Sequence, residues 1–326
     1  MHIQFHVEAS PSIGHGHVMR CAAIAERAAE RDFETSFVSA NEYTTELLQM
    51  LSLPTKTTVS SCQKIMVIDH HGAIEPSTVH NNQLMGVKVM LLDEHGPARS
   101  VADWVCDVLL GDDAKSMLAH NQSTTYLYGL KYALLRGQFR ASHAKARPGV
   151  AGAPRLMIAM GGIDQYHVSL RLVTALSALG FRGPATLVVE RDAVTAMRRA
   201  VCGWTDTLVL TEVSDMAALM IKSDLLVTKL GSLMLEAFCV GLGTVMIEPS
   251  RAHFELSASL AKDNADWPAI GLGEARHVDI NVVAQRILVT LFDPARLAAM
   301  GRRGSELVDG CGCDRLLNVV CGTRAH

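Results

Sequence analysis

Gly14-His15-Gly16-His17 lies between two patterned stretches. Before it, Met1, Ile3, Phe5 and Val7 alternate with His2, Gln4 and His6 as in a strand; after it, Val18, Cys21, Ala25 and Ala28 recur at helical spacing. The four residues therefore form a strand-to-helix turn. Gly14 and Gly16 permit backbone angles closed to other residues and let a ligand approach the main chain, and the N–H groups at a helix start attract anions. A neutral imidazole accepts protons near pH 7. His17, where the turn becomes helix, can present such a base to the crevice above the carboxyl ends of parallel strands. The competing reading is a histidine that caps or packs locally.

Other strand ends carry polar groups to the same kind of rim. The apolar run Ile65–Ile68 passes into Asp69-His70-His71-Gly72, and Val87–Leu92 into Asp93-Glu94-His95-Gly96. These acids either serve the rim or hydrogen-bond exposed loop amides. No His-x-x-x-His or Glu-x-x-His spacing on a helix accompanies them, so no metal is expected. In the second half, Leu156–Met160 leads to Gly161-Gly162-Ile163-Asp164, and Leu225–Thr228 to Lys229-Leu230-Gly231-Ser232 ahead of a helix. Backbone amides at Gly231 and Ser232 suit a diphosphate. Glu236, one turn further, either accepts hydrogen bonds from a ribose or is a surface helix residue.

The elements that hold these turns alternate strand and helix throughout. A chain of 326 residues is too long for one ordinary core. Residues 141–154, rich in Lys, Arg, Pro, Gly and Ala, read as a linker between an N-terminal domain (1–140) and a C-terminal domain (155–326). The expected fold class is α/β: two doubly wound Rossmann-like domains facing each other across a cleft, with the ligand between them. A net charge of −3 and the lack of a dense Lys/Arg run argue against nucleic acid and anionic membranes as partners. Neither a signal peptide nor an apolar stretch long enough for membrane insertion is read, and the expected location is the cytoplasm. The eight cysteines lie mostly singly in apolar segments, as free thiols do in a reducing compartment. Cys311, Cys313 and Cys321 lack a fourth ligand at compact spacing and read as free tail thiols.

Taken in order, Gly14–Cys21, Val67–His70, Leu92-Asp93, Gly129–Leu135, Gly161–Asp164 and Gly231-Ser232 with Glu236 and Gly241-Leu242 resemble the UDP-sugar hydrolases of the pseudaminic acid pathway, over roughly residues 5–275. That family is similar in fold to the GT-B glycosyltransferase that makes lipid II. The resemblance implies hydrolysis of UDP-2,4-diacetamido-2,4,6-trideoxy-β-L-altropyranose to UDP and free sugar, with inversion, C–O cleavage and no cofactor or metal. It implies His17 as catalytic base. Gly14, Gly16, Arg20, Asp69, His71, Tyr132 and His253 are the implied substrate contacts, and Gly161, Gly162, Gly231, Ser232 and Glu236 the implied UDP contacts. The partner is then a UDP-sugar and the chain a monomer or weak dimer. Three positions depart from the family pattern: His71 replaces a tyrosine, Leu230-Gly231-Ser232-Leu233 replaces Gly-Gly-Ser-Thr, and Ala252-His253 replaces Asn-Gln. A glycosyltransferase using a UDP-sugar and a non-catalytic nucleotide-sugar binder are the other readings.

Overall fold

β1 (His2–Val7) is buried on both faces, not on the apolar face alone. Its polar side chains are satisfied within the sheet: His2 Nε2 bonds Ser36 Oγ at 2.9 Å and His6 Nε2 bonds Gln4 Oε1 at 3.0 Å. Burial of both faces is the mark of a parallel sheet covered by helices on each side. The computed structural model describes residues 1–10, 13–39, 41–55, 65–70, 72–93, 95–110, 123–143, 152–264 and 266–322.

Two units form, one from Met1–Gly137 with the segment from Gly310 onward, the other from Gln138–Asp309. In the first, β1 is joined by β2 (Glu34–Ser39), β3 (Ile65–Asp69), β4 (Lys88–Leu92), β5 (Trp104–Asp107) and β6 (Thr125–Tyr128). All pair in parallel, in the order β2-β1-β3-β4-β5-β6. The chain moves outward from β1 to β2 and then returns to the other side of β1, so the strand order reverses between β1 and β3. Open α/β sheets bind ligands at such a switch point, beyond the carboxyl ends of the strands. Up to Gly137 its described helices are α1 (Gly16–Ala29), α2 (Glu42–Met50) and α3 (Pro76–Leu84), with 3₁₀ turns at Pro97–Ser100 and Leu130–Tyr132. α1 buries Val18, Cys21, Ala25 and Ala28, the residues whose spacing predicts it.

The second unit repeats the plan with β7 (Leu156–Ala159), β8 (Ala185–Val188), β9 (Thr207–Leu210), β10 (Leu225–Thr228), β11 (Gly243–Glu248) and β12 (Ala269–Glu274), all parallel in the order β12-β11-β10-β7-β8-β9. Here the order reverses between β7 and β10. Its helices are α4 (Gly137–His143), α5 (Val168–Ala178), α6 (Val194–Ala200), α7 (Met216–Ile221), α8 (Ser232–Cys239), α9 (Arg251–Asp263), α10 (Ile280–Leu291) and α11 (Pro294–Leu307). Leu156, Ile158, Val227 and Val245 from the sheet form one core with Leu172 and Leu176 of α5 and Ile287 of α10. α7 is capped at its start, with the Asp215 carboxylate accepting the Ala218 N–H at 2.9 Å.

The expected C-terminal domain of 155–326 is corrected at its end. α12 (Gly312–Val320) belongs to the first unit. It is held to α1 by Arg27 Nε donating to Asp314 Oδ1 at 2.7 Å and by Arg31 Nη1 donating to Asn318 Oδ1 at 2.8 Å. Packing is close enough that a Cβ on Gly312 would stand 2.1 Å from the Ala133 carbonyl oxygen. Gly312→Ala therefore pushes α12 off the turn at Leu130–Tyr132, costing about 1–3 kcal/mol as overpacking does. A lower melting temperature, with faster amide exchange in α12, is the expected result; an unchanged melt would contradict this packing. Among the described residues no helix is long and apolar enough to cross a membrane.

Candidate functional site

Val7, the last residue of β1, pairs in register with Asp69, the last of β3. The chain leaving β1 turns through Gly14, whose amide bonds the Ser10 carbonyl at 2.8 Å and whose φ is +86°. Gly14 thus needs the left-handed region that glycine alone enters freely. Gly16 does not: it opens α1, and a Cβ there would meet nothing within 4 Å. Its contribution is open space at the helix start. No side chain caps α1, and no acid occupies its first turn.

His17 and Arg20, one helical turn apart and so on one face, both reach Asp69. His17 Nδ1 bonds Asp69 Oδ1, and Arg20 donates from Nε to Oδ2 at 2.5 Å and from Nη2 to Oδ1 at 2.6 Å. A further Arg20 nitrogen, Nη1, pairs with Asp93, and Cys21 Sγ donates to Asp69 Oδ2 at 3.6 Å. Burial acts to raise the Asp69 pKa, but the Arg20 charge and the hydrogen bonds from Arg20 and His17 overcome it and hold the carboxyl well below the usual range. Asp69 is thus a carboxylate with nothing to donate, which favours the His17 tautomer protonated on Nδ1; Arg20 Nη2 stands 3.1 Å from the same nitrogen. That tautomer leaves the Nε2 lone pair as acceptor, and the His17 side chain keeps 19% of its surface exposed.

Two expectations change here. Asp69, expected to touch a substrate, has no exposed surface; it instead orients His17 and Arg20. Arg20, expected likewise, has its guanidinium committed to Asp69 and Asp93. Neither acid serves chiefly as a loop-amide acceptor, because α1 lays an arginine between the ends of β3 and β4. Next to Asp93, burial and then the Asp93 charge raise the pKa of Asp107 at the end of β5, with His95 Nδ1 3.8 Å from its Oδ2. Tyr132 stands half-exposed on the 3₁₀ turn with the Lys131 ammonium 5.4 Å from its ring centre. His71 lies outside the described residues.

In the second unit the turns after β7 and β10 meet at the switch point. Gly161 is exposed at φ +82°, with Lys229 Cε 3.6 Å from where its Cβ would be. Lys229 Nζ donates to the Ile163 carbonyl at 3.0 Å. Gly162 beside it is exposed. The start of α5 is already filled, since Asp164 accepts the Val168 and Ser169 N–H groups at 2.7 and 2.8 Å. α8 differs: its N-cap Gly231, at φ 145°, is followed by a first turn with neither a side-chain cap nor an acid. Of the two glycine turns, the one at Gly231-Ser232 therefore offers the amides to an anion. Glu236 is 6% exposed and not a surface residue, because α8 is wedged between the sheet and α11, where a Cβ on Gly304 would stand 3.0 Å from Phe238 Cα. His253 is exposed on the first turn of α9, its Nδ1 2.7 Å from Ser250 Oγ; partial burial and then the Lys229 charge lower its pKa.

Two groups here went unassigned in the sequence reading. Lys229 supplies a cation beside Gly161, and Glu248, fully buried at the end of β11, accepts the Leu230 N–H on Oε2 at 3.0 Å. The legible signal was position, since each follows an apolar strand at its carboxyl end.

No family model matches the sequence. The chain is 22% identical over 340 aligned positions to the spore coat polysaccharide biosynthesis protein SpsG of Bacillus subtilis (strain 168), covering 98% of each. Among solved structures it is similar to Acinetobacter baumannii MurG, with a TM-score of 0.68, 15% identity and 99% of each chain covered. It is similar as well to Phytolacca americana UGT2 complexed with UDP-2-fluoro-glucose and pterostilbene, with a TM-score of 0.68, 12% identity and 98% and 99% of the two chains covered. The fold is of the GT-B type, with the two Rossmann-like α/β domains the sequence predicted; each holds a parallel six-stranded sheet.

Proposed function

We propose that this protein hydrolyses a UDP-linked diacetamido-trideoxyhexose, UDP-2,4-diacetamido-2,4,6-trideoxy-β-L-altropyranose or a close relative, to UDP and the free sugar. The observation that carries the reading is the contact of His17 Nδ1 with the buried Asp69 carboxylate, an acceptor that favours the tautomer with Nε2 open as a base. A water oxygen attacks the anomeric carbon while Nε2 takes the water proton. The bond from that carbon to the β-phosphate oxygen breaks, its electron pair leaves with UDP, and the configuration inverts. UDP is a good leaving group, so amides and a cation suffice to stabilise its developing charge. In the second unit the uncapped start of α8 and the Lys229 ammonium support that assignment. Gly161, Gly162, Gly231, Ser232 and Glu236 are proposed for UDP, and His71, Tyr132 and His253 for the sugar.

The likeness to SpsG, a polysaccharide biosynthesis protein, and to a UGT2 structure holding UDP-2-fluoro-glucose supports a nucleotide-sugar substrate. The likeness to MurG and UGT2 in fold supports a second reading, in which the same base deprotonates an acceptor hydroxyl in place of water. Incubation of the purified protein with UDP-diacetamido sugars in ¹⁸O-labelled water, followed by NMR and mass spectrometry, separates them. Hydrolysis yields UDP without acceptor, label in the sugar and none in UDP, and an inverted anomer. UDP release only with an added acceptor would make the protein a transferase, and tight binding without product over hours would make it a binding protein.

A further inference from the structure

The loop between β10 and α8 is held from behind by an acid. Glu248 has no exposed surface, and its bond to the Leu230 N–H is itself buried. Leu230 immediately precedes Gly231, where the chain turns into α8. The register of β11 with β12 shifts between Met246 and Glu248, a local irregularity of the kind that re-aims a side chain. The acid thus anchors the peptide immediately before the one that carries the Gly231 N–H.

We propose that Glu248 is a positioning residue for nucleotide binding: through the Leu230 amide it fixes the direction in which the Gly231 and Ser232 N–H groups face a diphosphate. This rests on the reading of that loop as the UDP seat. Either protonation state can do the positioning, since a neutral carboxyl still accepts through its carbonyl oxygen. The two states differ toward the ligand, because a carboxylate repels the diphosphate and a neutral acid does not.

Burial raises the Glu248 carboxyl to about 7, against the Leu230 N–H, the Ser257 hydroxyl of α9 and the Lys229 charge, which favour the ionised form. Among the acids on elements packed against β11 are Glu274, the register partner of Glu248 on β12, which pairs with His277 at 3.1 Å, Glu236, the one charged residue of α8, Glu255 and Asp263 of α9, and Glu306 of α11. A bound diphosphate raises the Glu248 pKa further, so binding takes up a proton and affinity rises as pH falls through about 7.

The test is UDP calorimetry at pH 6 and pH 8 on the wild type, Glu248→Gln and Glu248→Ala, with hydrogen exchange at Leu230 and steady-state kinetics on the UDP-sugar. Glutamine keeps the acceptor and cannot ionise. It should match the wild type at pH 6, exceed it at pH 8 and show a flatter pH dependence. Alanine should weaken UDP about tenfold at pH 6 and by less at pH 8, where it also removes the carboxylate charge, raise KM at pH 6 with little change in kcat, and speed exchange of the Leu230 amide. Alanine binding UDP as tightly as wild type at pH 6, or glutamine failing to rescue it, would overturn the proposal. A wild type that binds no UDP overturns the nucleotide reading and with it the ligand named here, and Leu230 exchange then reports separately whether Glu248 holds the loop.

Discussion

Replacing His17 by alanine lowers turnover by about 10²- to 10⁴-fold, the usual contribution of a positioned general base, and leaves UDP affinity largely as it was. In the proposed reaction the base acts on water and makes no contribution to the grip on the diphosphate, so its loss falls on kcat. Asp69 and Arg20 remain paired without it, since their two hydrogen bonds at 2.5 and 2.6 Å do not pass through the imidazole. The variant should therefore fold and melt close to the wild type. Initial rates of UDP release together with UDP calorimetry check both halves of the expectation. Undiminished turnover would remove His17 from the mechanism, whatever else in the site survived.

Asp69 has the second large effect, on activity and stability together. Asp69→Ala strands the Arg20 guanidinium, only 17% exposed, without its main partner. Removing one member of a buried ion pair costs about 3–5 kcal/mol, which for a domain of this size lowers the melting temperature by about 10 °C. Asp69→Asn keeps the shape and separates the two effects. Its amide can donate to His17 Nδ1, favouring the tautomer that carries the proton on Nε2 and has no base to offer. Turnover should then fall about as far as in His17→Ala while the fold is hurt less. Wild-type turnover in Asp69→Asn would show that the carboxylate does not set the tautomer.

The same pair fixes a pH dependence of stability. The Asp69 carboxyl titrates lower in the native protein than in the unfolded chain, where an aspartate titrates near about 3.9. The native state therefore binds fewer protons in acid, and the contribution of the pair is complete above about pH 4 and lost as pH falls further. Melting curves of wild type and Asp69→Asn should differ by a constant amount near neutrality and converge in acid.

Much of this was readable before the structure. Val18, Cys21, Ala25 and Ala28 announced α1, and the glycines ahead of them announced its turn, because a helix face and a sharp bend are written in residues close together in the chain. The strands β3, β7 and β10 were legible as short apolar runs, and their polar ends as rims. Burial of His2 and Gln4 was not legible, since alternation predicts a wet face and only the second layer of helices dries it. Nor was α12 placed: its sequence reads as the end of the second half, yet Asp314 and Asn318 answer Arg27 and Arg31 nearly 300 residues earlier.

Local patterning thus established two α/β halves, the turn that carries His17 and the uncapped helix after Gly231, for each depends on neighbours within a few residues. The fold alone assigned Asp69 to His17 and Arg20, and Glu248 to Leu230, because those pairings follow from strand register. Register is a property of sheets assembled from segments far apart in sequence, and a carboxylate's partner, burial and charge state become defined only once those segments lie side by side.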